Sequence, residues 1–466
     1  MLARPITPRL SSRIGLFDPV GETEKWLRGA GIAFKSVDEK ADLAAFDVLI
    51  VGKAALTTNG PAPDISRVRD GLRVLLFEQT PEVLERRFGF RVAQYGLRTA
   101  FKRVPNHPLL AGLNPECLRD WRGEATILPP RLTYTMRPRA GTTVQWCDIP
   151  VTRLWRRGNR GNVASVLIEK PARGDFFPII DGGFDLQFSP LMEFREGAGM
   201  ILFCQMDITG RTEPDPAVDT LGCNLLRYLS EWKPATRRTV VYAGDATMRS
   251  FLDSEGIAVT PYAGAKLLPD QLLVAGPGAG AQLSGKAPEI TEWLASGGRL
   301  LALGLAQQDV EALLPNKVKM RTAEHISCYF PAPDSASFAA GVGPSDVHVR
   351  APRQLPLVSS GATVLGDGAL AQVEGVNVFL CQLAPWQFAD PNADNDKKQL
   401  NLKRTRRRMS FLVDRLLANL GASGSTPILS RFSTPTSSAS SEKRWLDGLY
   451  LDQPEEWDDP YRFFRW

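Results

Sequence analysis

The chain says the same things twice, and that constrains its fold more than any other feature. RIGLFD, beginning at residue 13, returns as TVVYAG at 239, 226 residues on, and VLIVGKAAL at 48 returns as LLVAGPGAG at 272, 224 residues on. RVLLFEQTPEVLERRFGF at 73 is echoed by RLLALGLAQQDVEALLP at 299, and AGLNPECL at 111 by AGVGPSDV at 340, at offsets of 226 and 229. Constant order at nearly constant spacing marks a tandem duplication, so two similar units are expected. The last echo, ILFCQM at 201 and VFLCQL at 378, has an offset of only 177. The first copy therefore carries about fifty residues that the second lacks.

Each copy shares a grammar. An apolar strand leads through a turn into an amphipathic helix, GETEKWLRGAG at 21 or MRSFLDSEGIA at 248, closed by glycine near its C-terminus. A second strand (FKSV at 34, VTPY at 259), a break and a third strand follow. Short continuous apolar strands separated by helices predict a parallel sheet covered on both faces. The expected fold is α/β, two tandem doubly wound domains, with residues 1–234 the first and 235–421 the second. The boundary falls at EWKPATRR, where a helix ends and proline and charges follow.

The extra segment of the first copy, about 121–198, is rich in β-branched and aromatic residues punctuated by glycine and proline. It predicts β-hairpins at the sheet edge or mouth, where α/β folds carry function. Residues 422–444 are rich in Ser, Thr and Pro and predict a linker lying on the surface or disordered. Residues 445–466, WLDGLYLDQPEEWDDPYRFFRW, place seven aromatics among acids and are expected to dock, on their own body or on a partner.

Composition narrows the function classes. Hydrophobic residues at 43% and charged residues at 23% are ordinary for a globular chain, and a net charge of +5 does not demand nucleic acid. No apolar run reaches the roughly 18 residues a membrane span requires, and the N-terminus lacks a secretory apolar core. No nucleic-acid or membrane partner is expected, and a cytoplasmic location follows unless the chain is a detached C-terminal half. Six cysteines without a CxxC pair and three histidines (107, 325, 348) point to no zinc knuckle, disulfide framework or metal centre. No cofactor is expected.

Several motifs invite chemistry. Cys204, closing ILFCQM, stands at the mouth of a strand in a grammar that resembles class I glutamine amidotransferases and flavodoxin-like folds. In those enzymes the nucleophile sits on a tight strand-to-helix turn. The corresponding turns here, FEQTPEVL at 77 and LGLAQQDV at 303, contain no cysteine, and no His-x-Glu follows. Cys204 and Cys381 thus read as duplicated packing positions. GPGAG at 276 is a turn rather than a phosphate cradle. KKQLNLKRTRRRM at 397 reads as a solvated helix face, with Asp390, Asp394, Asp396 or the WDDPYR peptide as acidic neighbours. In the insertion, Trp121, Arg122, Glu124, Trp146, Trp155, Arg156, Asn159, Arg160, Asp181, Gly182, Gly183 and Asp185 combine flat aromatic faces with carboxylate, amide and guanidinium groups. That mixture suits sugar recognition. Trp121, Arg122, Glu124, Trp155, Asn159, Arg160, Asp181 and Asp185 are the carbohydrate-binding candidates.

LFDPVGETEKWLRGAGIAF, LLFEQTPEVLERRFGF, HPLLAGLNPECLRDWRGEATILPP, the long NRGNVASVLIEKP…DITGRTEPDP segment from 159 to 216 and the terminal DGLYLDQPEEWDDPYRFFRW carry a resemblance. Together they resemble the C-terminal half of large bacterial β-galactosidase-like glycoside hydrolases, in which amidotransferase-like domains follow a catalytic barrel. The resemblance implies a role in carbohydrate processing. With Met1 directly before the first strand, neither eight βα units nor the two carboxylates of a retaining glycosidase are expected in this chain. The expectation is a non-catalytic accessory or assembly module, with a separate glycoside hydrolase barrel, a second copy or an oligosaccharide as partner. A stand-alone hydrolase or amidotransferase-like enzyme and an interaction scaffold are the alternatives.

Overall fold

A computed structural model describes residues 5, 7–125, 144–146, 149–151, 160–315, 317–350, 352–388 and 397–433, the side chains of 95, 144–146, 149–151, 184 and 397–401 excepted. Nearly every short apolar run becomes a strand. The first unit holds β1 (Ile14–Phe17), β2 (Lys35–Ser36), β3 (Val48–Val51), β4 (Arg73–Leu76), β5 (Val92–Leu97), β6 (Phe101–Lys102), β7 (Trp121–Glu124), β8 (Val144–Trp146), β9 (Ile149–Val151), β10 (Arg160–Gly161), β11 (Ala164–Glu169), β12 (Phe176–Gly182), β13 (Phe188–Glu196) and β14 (Gly199–Cys204). The second holds β15 (Thr239–Ala243), β16 (Val259–Pro261), β17 (Gln271–Ala275), β18 (Arg299–Leu303), β19 (Lys319–His325), β20 (Arg353–Ser360), β21 (Ala362–Leu365), β22 (Leu370–Val373) and β23 (Val378–Cys381).

One sheet runs β2-β1-β3-β4-β14-β13-β11-β5, with β12 and β6 attached to its antiparallel end. The other runs β16-β15-β17-β18-β23-β22-β21. In both, the first five strands are parallel and the rest antiparallel. The protein is therefore mixed α/β with parallel and antiparallel strands. The registers follow the sequence echoes: Ile14 pairs with Val48 and Val240 with Leu272, while Val74 pairs with Ile201 and Leu300 with Val378.

Residues in the strands alternate between two cores. Leu16, Ile50, Leu75 and Leu202 pack with Leu27 of α1 (Glu22–Gly29) and with Leu221, Leu225 and Leu229 of α2 (Pro216–Glu231). Asp215 fixes the start of α2 by accepting from the Ala217 amide at 2.9 Å, and Pro216 occupies the first turn, where a missing N–H costs nothing. Leu49, Val51, Val74, Leu76 and Phe203 face the opposite core. The second sheet is covered likewise. Phe251 of α3 (Ala246–Ser254) lies on one face, and the short α4 (Ala279–Gln282), α5 (Ala287–Ala295) and α6 (Gln307–Leu313) lie on the other. GPGAG is a packed turn, with the Gly280 amide 3.0 Å from Asp309 Oδ1.

The inserted segment extends the first sheet through β11, β12 and β13, and β7–β10 and β8–β9 form separate two-stranded ribbons.

Two expectations are corrected. The basic run lies on α7 (Lys397–Leu420), and its face is not solvated. Arg404, Arg407, Arg408 and Arg415 are buried, the last three against acids of the first unit. Arg407 pairs with Glu169 at 3.0 Å, Arg415 with Asp175 at 2.9 Å, and Arg408 with Asp185. Guanidinium groups are buried only when such partners meet them. The segment expected as linker from 422 instead folds at α8 (Ile428–Ser433), whose Ile428, Leu429 and Phe432 enter the core of the first sheet. Apolar residues at i, i+1 and i+4 give that single turn a face to bury. The 445–466 tail, Trp155, Arg156, Asn159, Asp390, Asp394 and Asp396 lie outside the described residues.

Candidate functional site

The C-terminal edge of the parallel strands is where open α/β sheets place ligands. At the end of β4 the strand-to-helix turn carries Glu78 and Gln79, both buried. Gln79 is fully engaged: its side chain accepts from the Leu56 amide at 3.0 Å and donates to the Gly52 and Phe77 carbonyls at 2.8 and 2.7 Å. Glu78 accepts from the Thr209 amide and hydroxyl at 3.0 and 3.3 Å and from the Ile208 amide. Beside it, Lys53 Nζ lies 3.3 Å from Asp207, which in turn pairs with Arg211 at 3.0 Å. Burial, reinforced by Asp207 and opposed by Lys53, pushes the Glu78 carboxyl up to about 7.

Cys204 lies next to this cluster. It is fully buried, its Sγ is 3.8 Å from the Met206 carbonyl, and burial and the Glu78 charge push the thiol well above its ordinary value. Cys381 repeats the arrangement in the second unit: Sγ is 3.4 Å from the Leu383 carbonyl, and burial pushes the thiol up to about 12. A nucleophilic cysteine needs the opposite, a lowered pKa and access. The equivalent turn after β18 offers Gly304 and Leu305, neither a nucleophile.

The sugar-binding candidates separate into two places. Trp121 is buried among core residues, its Nε1 donating to the Cys117 carbonyl at 2.7 Å, with the Arg211 guanidinium 5.9 Å from its ring centre. Arg122 and Glu124 are exposed on the same strand, and Arg160 on β10 pairs with Glu124 at 3.0 Å. Asp181 lies elsewhere, buried 3.2 Å from Arg103 and 3.0 Å from Lys170. Asp346 of the second unit inserts between the same two cations, 3.8 Å from Lys170 and in contact with Arg103. Asp185, at φ 53, turns its carboxylate to Arg408 and lies 3.8 Å from His348. Asp181 and Asp185 thus serve the junction between the units.

Sequence reasoning missed two further groups. A cleft of about 430 Å³ opens between the end of α2 and the inter-unit linker, lined by Arg195, Asn224, Arg227, Tyr228, Glu231 and Trp232 among others. Beneath it, Glu193 accepts from Tyr228 at 2.6 Å and meets His107 at 3.1 Å and Arg195 at 2.6 Å. Burial opposes the Glu193 charge, yet Arg195, His107 and Tyr228 together carry the carboxyl down to about 2. The second group is His325, Cys328 and Asp367, whose donor atoms lie within 4.8 Å of one another. The His-x-x-Cys spacing was its only local signal.

No family model matches this sequence, and no curated protein matches it significantly.

Proposed function

We propose that the chain is a non-catalytic accessory module of a β-galactosidase-like glycoside hydrolase, built of two amidotransferase-like, doubly wound α/β domains and supplying assembly surface or the rim of a substrate pocket. One observation carries the non-catalytic part: both duplicated thiols are sealed, and the turns where a nucleophile would sit hold Glu78–Gln79 and Gly304–Leu305. The carbohydrate part rests on the sequence resemblance. The cleft at Trp232 adds an aromatic face beside amide, guanidinium and carboxylate groups, the chemistry that sugars require.

The test pairs turnover with binding. Assays on aryl β-galactosides and on glutamine should stay at background, while calorimetric titration with galacto-oligosaccharides should show binding that Trp232→Ala weakens at least fivefold. Turnover abolished by Cys204→Ser, or flat titrations together with no association with a hydrolase barrel, would reject the proposal. One observation favours the enzyme reading. Glu78 shares a cluster with Lys53 and Asp207, and burial holds its carboxyl above the ordinary carboxylate range, as a general acid–base requires. Turnover that vanishes in Glu78→Gln while the fold persists would select it.

A further inference from the structure

We propose that His325, Cys328 and Asp367 form a binding site for a zinc-class divalent ion with one open coordination position. The site is assembled from three elements. His325 ends β19, Cys328 lies three residues on, and Asp367 sits in the turn of the β21–β22 hairpin. Imidazole, thiolate and carboxylate are the ligand types that zinc takes, and three protein ligands leave a fourth position for solvent.

The surroundings orient each donor. His325 Nε2 donates to the Val347 carbonyl at 2.7 Å, which turns Nδ1 inward to within 2.6 Å of Asp367 Oδ2. The other carboxylate oxygen, Oδ1, accepts from the Ala369 amide at 3.2 Å. An outer carbonyl on the ligating imidazole and an outer donor on the carboxylate are the supports that metal ligands use. Glycine makes the room: a Cβ on Gly366 would stand 2.2 Å from Cys328 Sγ, and one on Gly368 2.1 Å from the Val358 carbonyl. In a tetrahedral zinc site the donor atoms are about 3.3–3.6 Å apart, so sub-ångström to ångström-scale shifts suffice. His325 is buried whereas Cys328 and Asp367 are partly exposed, which leaves a solvent-facing side. Binding would release to solvent the thiol proton and the proton held between Nδ1 and Asp367 as the metal bonds form.

The test uses the full chain, stripped with chelator and titrated first with CoCl₂ and then with ZnCl₂ against a chromophoric chelator. We expect one ion per chain and a thiolate-to-cobalt charge-transfer band. Cys328→Ser should abolish the band and weaken zinc binding at least tenfold. Asp367→Asn, at a partly exposed position, should keep the band and weaken binding by a similar factor, with circular dichroism showing that both variants remain folded. No stoichiometric ion, a band that survives in Cys328→Ser, or unchanged affinity in Asp367→Asn would each overturn the proposal.

Discussion

Two buried carboxylates show how environment decides what a residue does. Glu78 holds its proton to a higher pH in the folded chain than in the unfolded one, because burial and Asp207 disfavour its charge. The unfolded state therefore ionises first, and this group's contribution to stability falls as pH rises from about 4.5 to about 7. Denaturation of Glu78→Gln across that window should lack this fall; a variant with the parent's slope would show that Glu78 is not the group concerned. Glu193 has the reverse sign. Its carboxyl is held at about 2, so its contribution is complete above about 4.5 and is lost as pH drops toward 2. Glu193→Gln removes the stronger of the two buried carboxylates that face Arg195, Asp175 being the other, and should cost up to about 3–5 kcal/mol at neutral pH. Urea titration reads that loss directly.

At the scale of elements, the strands were legible because each is a short continuous apolar run: VLIV, RVLL, GMILFC, QLLVA and RLLAL all fold as read. Helix α7 was legible as a helix but not in its role. Its arginines meet Glu169, Asp175 and Asp185, all more than 200 residues away in sequence, and no local pattern announces such partners. The same blindness hid α8 inside a Ser/Thr/Pro-rich stretch. Phe432 should behave as a core residue, with Phe432→Ala costing about 3–5 kcal/mol. A melting temperature equal to the parent's would refute its docking on the first sheet. The junction makes a second prediction. Asp175 pairs with Arg415 at 2.9 Å and with the more exposed Arg237 at 3.1 Å, so Asp175→Asn takes the buried Arg415 guanidinium's carboxylate partner away and should destabilise by a comparable amount.

At the scale of the molecule, the sequence echoes match strands at corresponding places in the two sheets, while the contact between the sheets' units was invisible. Asp346 between Arg103 and Lys170, and the α7 arginines on their acids, bury charges from both units in one junction. Separating the units would expose each charge's partner, so calorimetry should show a single unfolding transition; two resolved transitions would mean that the junction does not couple them. The sugar-binding candidates were half legible for the same reason. Their chemistry was visible, but Asp181 and Asp185 were claimed by cations of the junction.

Cys204 and Cys381, both buried at the ends of matching strands, should behave as packing residues and not as nucleophiles. Alkylation of the native chain with iodoacetamide at neutral pH, mapped peptide by peptide, distinguishes the two roles. Cys204 and Cys381 should label only at the rate of global unfolding while the partly exposed Cys117 reacts freely. Labelling of Cys204 in the folded protein as fast as Cys117 would mean that its thiol is accessible and open to chemistry.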